Sequence, residues 1–297
     1  VIEVAAGVLL RADGSFLLAQ RPADKVYAGY WEFPGGKVGP GEPPAQALAR
    51  ELDEELGIDI AEAYPWLTRV FTYPHGRVRL QFYRVLSWKH EPHPREDQAI
   101  AWQAVDAPML APMLPANVPV LASLALPGEY AITCAAELGT AEMLRRLERA
   151  LERGLKLLQV REPEMEDESR RLFTGQAIGL AHRYGCKVLT KAPFAGADGI
   201  HFTAAELMHL QGKPKEGLAA ASCHTRAELE RAMQLELDFA VVGPVRDKAA
   251  IGWDRFAGLA ADSSIPVYAI GGLSSADRWK AWRAGAHGIA MIRAAWA

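Results

Sequence analysis

The 297-residue chain is poor in cysteine, in charge of one sign and in long apolar runs, and each shortage excludes something. Its three cysteines, Cys134, Cys186 and Cys223, are widely spaced and odd in number. They form neither a disulfide framework nor a metal-ligand spacing, and read as reduced thiols of a cytoplasmic protein. A net charge of -3 offers no general surface for nucleic acid or membrane. No stretch is long and apolar enough to span a bilayer. The first ten residues, with Glu3 inside and Arg11 following, read as a strand rather than a signal peptide. What is present is material for folded cores: 50% of residues are hydrophobic and 23% are charged. The length suits about two domains.

The first half is organised around Gly36-Lys-Val-Gly-Pro-Gly-Glu42 and, after residues 43–49, Arg50-Glu-Leu-Asp-Glu-Glu-Leu-Gly-Ile58, a glycine-rich loop running into a helix. At about 100° per residue, Leu48, Ala49, Leu52 and Leu56 share one arc and Glu51, Glu54 and Glu55 the adjoining one. Arg50 and Asp53 point elsewhere. Carboxylates crowded at the edge of a buried face repel unless a cation joins them, and hard oxygen ligands suit Mg2+ or Mn2+. The same three acids also fit an ordinary solvated helix face. Gly36, Glu42, Arg50, Glu51, Leu52, Glu54, Glu55, Gly57 and Ile58 match every fixed position of the Nudix box. This half therefore resembles the Nudix hydrolases.

Around the box, residues 4–10 and 15–20 form apolar runs joined through Ala12-Asp-Gly14, a hairpin signal. Residues 66–73 and 77–88 read as strands about the turn Pro74-His-Gly76, with Val78, Leu80, Phe82 and Arg84 on one face. Residues 101–105 read as a short strand and 118–124 as a closing helix. The expected fold is an α/β/α sandwich with a mixed sheet. Trp31-Glu-Phe-Pro-Gly-Gly-Lys37 and Leu114-Pro-Ala-Asn-Val-Pro-Val120 resemble segments of the MutT branch, which hydrolyses oxidised guanine nucleotides. The resemblance implies Asn117 as base reader beside the Phe33 backbone, Arg21 as a phosphate contact, and Glu96 as a further metal ligand or base. Asn117 equally suits a turn or N-cap, Arg21 a surface position and Glu96 a solvated loop; His75 and His93 read as surface residues. The implied chemistry is attack of water on phosphorus in a nucleoside triphosphate such as oxidised dGTP. Mg2+ or Mn2+ held by Glu51, Glu54, Glu55, Glu96 and the Gly35 carbonyl would promote it. Arg50 is expected to orient a glutamate.

Pro127-Gly128 interrupts the pattern, giving expected domains of residues 1–127 and 128–297. Beyond it, strands at 130–133, 156–161, 187–190, 199–202, 219–222, 238–243, 266–271 and 287–292 alternate with helices at 141–153, 168–184 and 226–235. Almost no helix fits between 190 and 199. The order suggests a small (β/α)8 TIM barrel of about 170 residues, below the usual ~200. Gln159-Val-Arg-Glu162, Ala197-Asp-Gly-Ile-His201, Ser222-Cys-His-Thr225, Val242-Gly-Pro-Val245, Ala269-Ile-Gly-Gly272 and the 285–292 run resemble thiamine-phosphate synthase and its thiazole-tautomerase relatives. That resemblance implies a phosphorylated thiamine-pathway ligand, with Gln159 and Arg161 in its pocket and Gly271, Gly272 and the backbone at Arg293 cradling its phosphate.

The departures matter as much. Pro163 stands where that family has lysine, and Thr190-Lys191 where it has an asparagine and a magnesium-binding aspartate. Glu206 aligns with a second metal ligand, the 246–250 segment lacks threonine, and Arg293 replaces a serine. Lys191, Lys248 and Arg293 would make a cationic pocket in place of metal-assisted chemistry. His224 aligns with a tautomerase histidine, yet Thr225-x-x-Glu228 beside it is a capping box. Three readings stay open: an inactive barrel that binds a phosphate ligand, a working synthase or tautomerase, or a regulatory module that builds a homodimer.

Overall fold

The structure, a computed structural model, describes every residue except 75, 96, 97, 108 and 248. It divides into two compact units, Val1–Ala125 and Leu126–Ala297. The first contains β1 (Ile2–Leu9), β2 (Phe16–Gln20), β3 (Trp31–Glu32), β4 (Gly35–Lys37), α1 (Pro44–Leu56), β5 (Asp59–Tyr73), β6 (Gly76–Lys89), β7 (Ile100–Gln103) and α2 (Val118–Leu124). A four-stranded sheet runs β4-β1-β6-β5 and a three-stranded sheet β3-β2-β7. β1 is parallel to β6 and antiparallel to β4, so the larger sheet is mixed.

β1 explains one departure from expectation. Ala5 and Leu9 pack on the α1 side, while Ala6 and Val8 pack into the core on the opposite face. A strand apolar on both faces belongs in the middle of a sheet. β4 and β6 occupy both of its edges, so the two apolar runs at 4–10 and 15–20 enter different sheets and the expected hairpin is confined to its turn, where the Arg11 N–H donates to Ser15 O at 2.9 Å and the Gly14 N–H to Arg11 O at 3.0 Å. A bridge at Leu10 and Phe16 is what pairs them. β5 also begins at Asp59 rather than at residue 66, because irregular pairing with β6 carries it through exposed polar positions.

In the second unit, β8 (Glu129–Ile132), α3 (Ala135–Leu138), α4 (Thr140–Glu152), β9 (Leu157–Val160), α5 (Asp167–Arg183), β10 (Lys187–Thr190) and β11 (Gly199–Phe202) come first. Then follow α6 (Ala204–His209), β12 (Leu218–Cys223), α7 (Arg226–Gln234), β13 (Phe239–Val242), α8 (Gly252–Ala260), β14 (Val267–Ile270), α9 (Arg278–Arg283) and β15 (Gly288–Met291). The eight strands close in the order β10-β11-β12-β13-β14-β15-β8-β9, all parallel. Residues 191–198 contain no helix. Alternation divides the side chains: Tyr130, Leu157, Phe239 and Tyr268 fill the interior, while Ala131, Leu158 and Ala240 face the helices. Inside, the Phe239 ring meets Tyr130 and Tyr268 edge-on at centroid separations of 5.2 and 5.1 Å. Among the described residues no helix is long and apolar enough to cross a membrane.

Candidate functional site

The carboxylate helix is set by its ends and its buried stripe. Pro44 opens α1, where its missing N–H costs nothing, and Gly57 closes it in the left-handed conformation at φ 68°, donating to Asp53 O at 2.9 Å. Ala47, Leu48, Leu52 and Leu56 are buried, while Ala49, expected on that stripe, is exposed. Counted from Leu48, Ala47 lies about 100° to one side and Ala49 about 100° to the other. Glu51 and Glu55 fall on the Ala47 side, inside the packed arc rather than beside it. They fit there because the strand that faces them is glycine. A Cβ on Gly36 would stand 2.1 Å from Glu51 Oε2, and the Gly35 N–H donates to Glu55 Oε2 at 3.1 Å.

Arg50 spans the outer side of this cluster. Its guanidinium reaches Glu42 at 3.0 Å, Glu51 at 2.8 Å and Glu54 at 3.5 Å, and donates to Lys37 O at 3.1 Å. The Arg50 hydrogen bonds, with the Gly39 N–H, hold the Glu42 carboxyl below its usual range. As expected, Arg50 orients glutamates. Glu54 is the most exposed of the three box acids, at 56%. Among the described residues no three acids, histidines or cysteines are grouped to hold a metal ion, and Glu54 stands 3.5 Å from the Arg50 guanidinium. The donor set itself fits a hard cation: carboxylate oxygens walled by bare backbone. Glu96 lies outside the described residues. Arg95 N–H and the Gln98 amide, which flank it in sequence, both donate to Glu55 O, at 3.0 and 3.2 Å.

Asn117 is 2% exposed and precedes α2, yet its side chain makes no capping bond. Among the described residues that amide has no hydrogen-bond partner. It thus keeps a donor and an acceptor for another molecule, as reading a purine edge requires. Phe33 is 2% exposed, its ring meeting Phe82 edge-on at 6.0 Å. Arg21 is largely committed to its own loop, donating to Val26 O at 2.7 Å and pairing with Glu32 at 2.6 Å. Burial raises the Glu32 carboxyl against the pull of Arg21. His93 is exposed, and His75 lies outside the described residues.

In the barrel, a cavity of about 730 Å³ opens where the strands end. Gln159, Arg161, Lys191 and His224 line it, together with His201, Ser222, Arg170 and Arg171. His201 sits between Tyr130 OH at 3.0 Å and Ser222 Oγ at 2.9 Å, and burial lowers its imidazole to about 3. His224 Nδ1 contacts Gly243 O at 2.8 Å; a carbonyl only accepts, so Nδ1 carries the proton. The Thr225–Glu228 capping box forms as expected, and Glu228 also accepts from the His224 N–H. Glu206 is held by the Thr203 capping box and lies 3.8 Å from Lys191 Nζ. Gly271, Gly272 and Arg293 do not line the cavity. Arg293 is taken up by both oxygens of Glu137, at 2.8 and 2.7 Å. Asp247 Oδ1 stands 3.0 Å from where a Gly272 Cβ would be, so a carboxylate faces the expected phosphate cradle. Lys248 lies outside the described residues.

Comparison with known proteins agrees with this division. A family profile described as NUDIX domain matches residues 2–124, and one described as thiamine monophosphate synthase matches residues 129–295. The chain belongs to both families. Its NUDIX unit is 41% identical over 122 residues to the CTP pyrophosphohydrolase of Escherichia coli (strain K12), covering 41% of this chain and 89% of that protein. It is also 41% identical over 90 residues to the 8-oxo-dGTP diphosphatase of Proteus vulgaris, covering 30% of this chain and 80% of that protein. The barrel is 32% identical over 182 residues to the putative thiamine-phosphate synthase of Geobacter sulfurreducens, covering 56% of this chain and 84% of that protein. The NUDIX unit is thus homologous to 8-oxo-dGTP diphosphatases, a group of hydrolases that generally needs a divalent metal. The synthase-family barrel holds two cavity residues the sequence did not single out, Arg170 and Arg171. The signal available was the charged pair one helical turn into α5.

Proposed function

We propose that the NUDIX unit hydrolyses 8-oxo-dGTP to 8-oxo-dGMP and pyrophosphate in the cytoplasm, clearing oxidised nucleotide before a polymerase uses it. The observation that carries this reading is the placement of the Glu51 and Glu55 carboxylates against the bare Gly35–Gly36 backbone. A metal ion held by Glu51, Glu54, Glu55, Glu96 and the Gly35 carbonyl, Mg2+ or failing that Mn2+, would supply Lewis acidity toward phosphate oxygens and a water of lowered pKa. The chain's own residues do the positioning. Arg50 fixes the Glu42 and Glu51 carboxylates, the Gly35 N–H holds Glu55, and the buried Asn117 amide meets the base edge. Arg21, tied to Glu32, has limited reach toward phosphate. A second reading, a cytidine nucleotide as substrate, is favoured by the long match to the CTP pyrophosphohydrolase.

The test is to compare turnover of 8-oxo-dGTP, dGTP and CTP with Mg2+, Mn2+ and EDTA. Turnover of 8-oxo-dGTP at least about tenfold above dGTP is expected, and Asn117→Ala should erase that difference. Preference for CTP decides for the second reading. Glu55→Gln should lower kcat about a hundredfold; full activity there refutes the metal-site assignment. For the barrel, we propose a family member that keeps a pocket for a phosphorylated ligand without synthase turnover, supported by Lys191 at the mouth and by Pro163. Release of pyrophosphate on coupling a thiazole phosphate to a pyrimidine diphosphate would overturn that.

A further inference from the structure

The barrel family implies a magnesium ion at the mouth, and the side chains present do not suit one. A hard cation needs carboxylate oxygens that are not already engaged. Glu162, 3% exposed, gives Oε1 to Ala135 N–H at 2.6 Å and Oε2 to Ala136 N–H at 3.0 Å. Asp167 pairs with Arg170. Glu206 accepts from the Thr203 N–H and hydroxyl, both at 2.8 Å, and has the Lys191 ammonium 3.8 Å away. Among the described residues each of these acids already has a partner, and one of the partners of Glu206 is a lysine.

The positive groups are less engaged. Arg161 and Arg171 line the cavity and have no carboxylate partner among the described residues. With Lys191 they place three cationic side chains on the side of the mouth built by β9, α5 and the segment after β10. A second observation points to a ligand. Gln159 lines the same cavity at 3% exposure, and its side-chain amide has no hydrogen-bond partner among the described residues. An amide on the cavity wall that no protein group engages keeps a donor and an acceptor for whatever occupies the cavity.

We propose that the cavity binds a small organic phosphate without a metal ion. Lys191, Arg161 and Arg171 neutralise its phosphate, and Gln159 engages a polar group on its body. This deepens the reading of the barrel as a phosphate-ligand pocket and rests on it. It moves the anion seat to the β9–β10 side, away from the Gly271–Gly272 turn and from Arg293.

The experiment titrates inorganic pyrophosphate into the full-length chain by calorimetry, in excess EDTA and in excess Mg2+. EDTA silences metal-dependent nucleotide turnover, so failure here is distinguishable from failure of the hydrolase reading. Saturable binding in EDTA is expected. Lys191→Ala and Arg161→Ala should each weaken it about tenfold or more, the usual effect of losing a hydrogen bond to a charged group. Lys187→Ala, the same charge change at the opposite end of β10, should leave the affinity unchanged. Binding that needs Mg2+ refutes the proposal. So does binding insensitive to both barrel variants, or weakened equally by Lys187→Ala. Circular dichroism of each variant separates lost binding from lost fold, and Lys191→Gln provides a second variant if Lys191→Ala unfolds.

Discussion

Replacing Gly36 by alanine should disable the hydrolase while sparing its fold. β4 holds Gly36 in a conformation open to any residue, so a methyl group there meets no backbone strain. It does meet Glu51: the new Cβ would lie 2.1 Å from Oε2, 2.2 Å from Cδ and 2.6 Å from Oε1. Restoring ordinary contact requires the carboxylate to retreat by roughly 1 Å, a misplacement that can cost about a hundredfold in rate. The obstacle is the end of a flexible side chain, so the stability change should stay within about 1 kcal/mol. Gly35→Ala makes the contrast. Gly35 adopts φ 142°, and a Cβ there would press to 2.2 Å from the Ala5 carbonyl, which is backbone. That variant should lose several kcal/mol, about 3 or more, through strain and a broken β1–β4 ladder. Steady-state hydrolysis of 8-oxo-dGTP with thermal unfolding measures both. A Gly36→Ala protein with unaltered kcat, or one that unfolds as readily as Gly35→Ala, refutes the reasoning.

Arg50→Lys should lower kcat about tenfold and move KM and melting temperature much less, because one ammonium cannot hold Glu42, Glu51 and Lys37 O together; wild-type kcat would show the fork to be dispensable. The barrel should lose stability in mild acid through His201. Its imidazole ordinarily protonates near 6.5 and is held to about 3 by burial and by Arg161. The unfolded chain therefore takes up the proton first. His201's contribution is complete above about 6.5 and is lost as pH falls toward about 3, by up to about 1.4 kcal/mol per pH unit. Urea unfolding of the barrel transition across that range measures the slope, and His201→Asn should flatten it. An equal slope in the variant would assign the acid sensitivity to other groups.

Much of this was legible in the sequence wherever period and spacing coincide. The eight short runs beyond residue 128 became the eight barrel strands, and residues 118–124 became α2. The glutamates at 51, 54 and 55 could be placed on α1 by counting, but Ala47 and Ala49 could not be told apart. Alanine carries no preference strong enough to choose a side, and the choice fell to packing against β1. The pairing of β1 was equally hidden, since a run apolar on both faces does not announce its neighbours. Least legible were ion pairs between distant residues. That Glu137 would occupy Arg293 depends on segments far apart in the chain meeting in space, and that Glu32 would hold Arg21 follows from the β2–β3 register, which local pattern did not reveal.

The Arg50 fork has a consequence for how the enzyme rests. Crowded acids normally make a metal-free site repulsive, so that the ion is needed to hold the chain together as well as to do chemistry. Here a guanidinium stands among Glu42, Glu51 and Glu54 as a permanent counter-ion. Under the proposed metal assignment, loading would be an exchange of partners around a charge already balanced in part, instead of the event that closes the fold. A cell short of divalent metal would then hold this protein folded and idle, ready to resume work when the ion returns, without resynthesis.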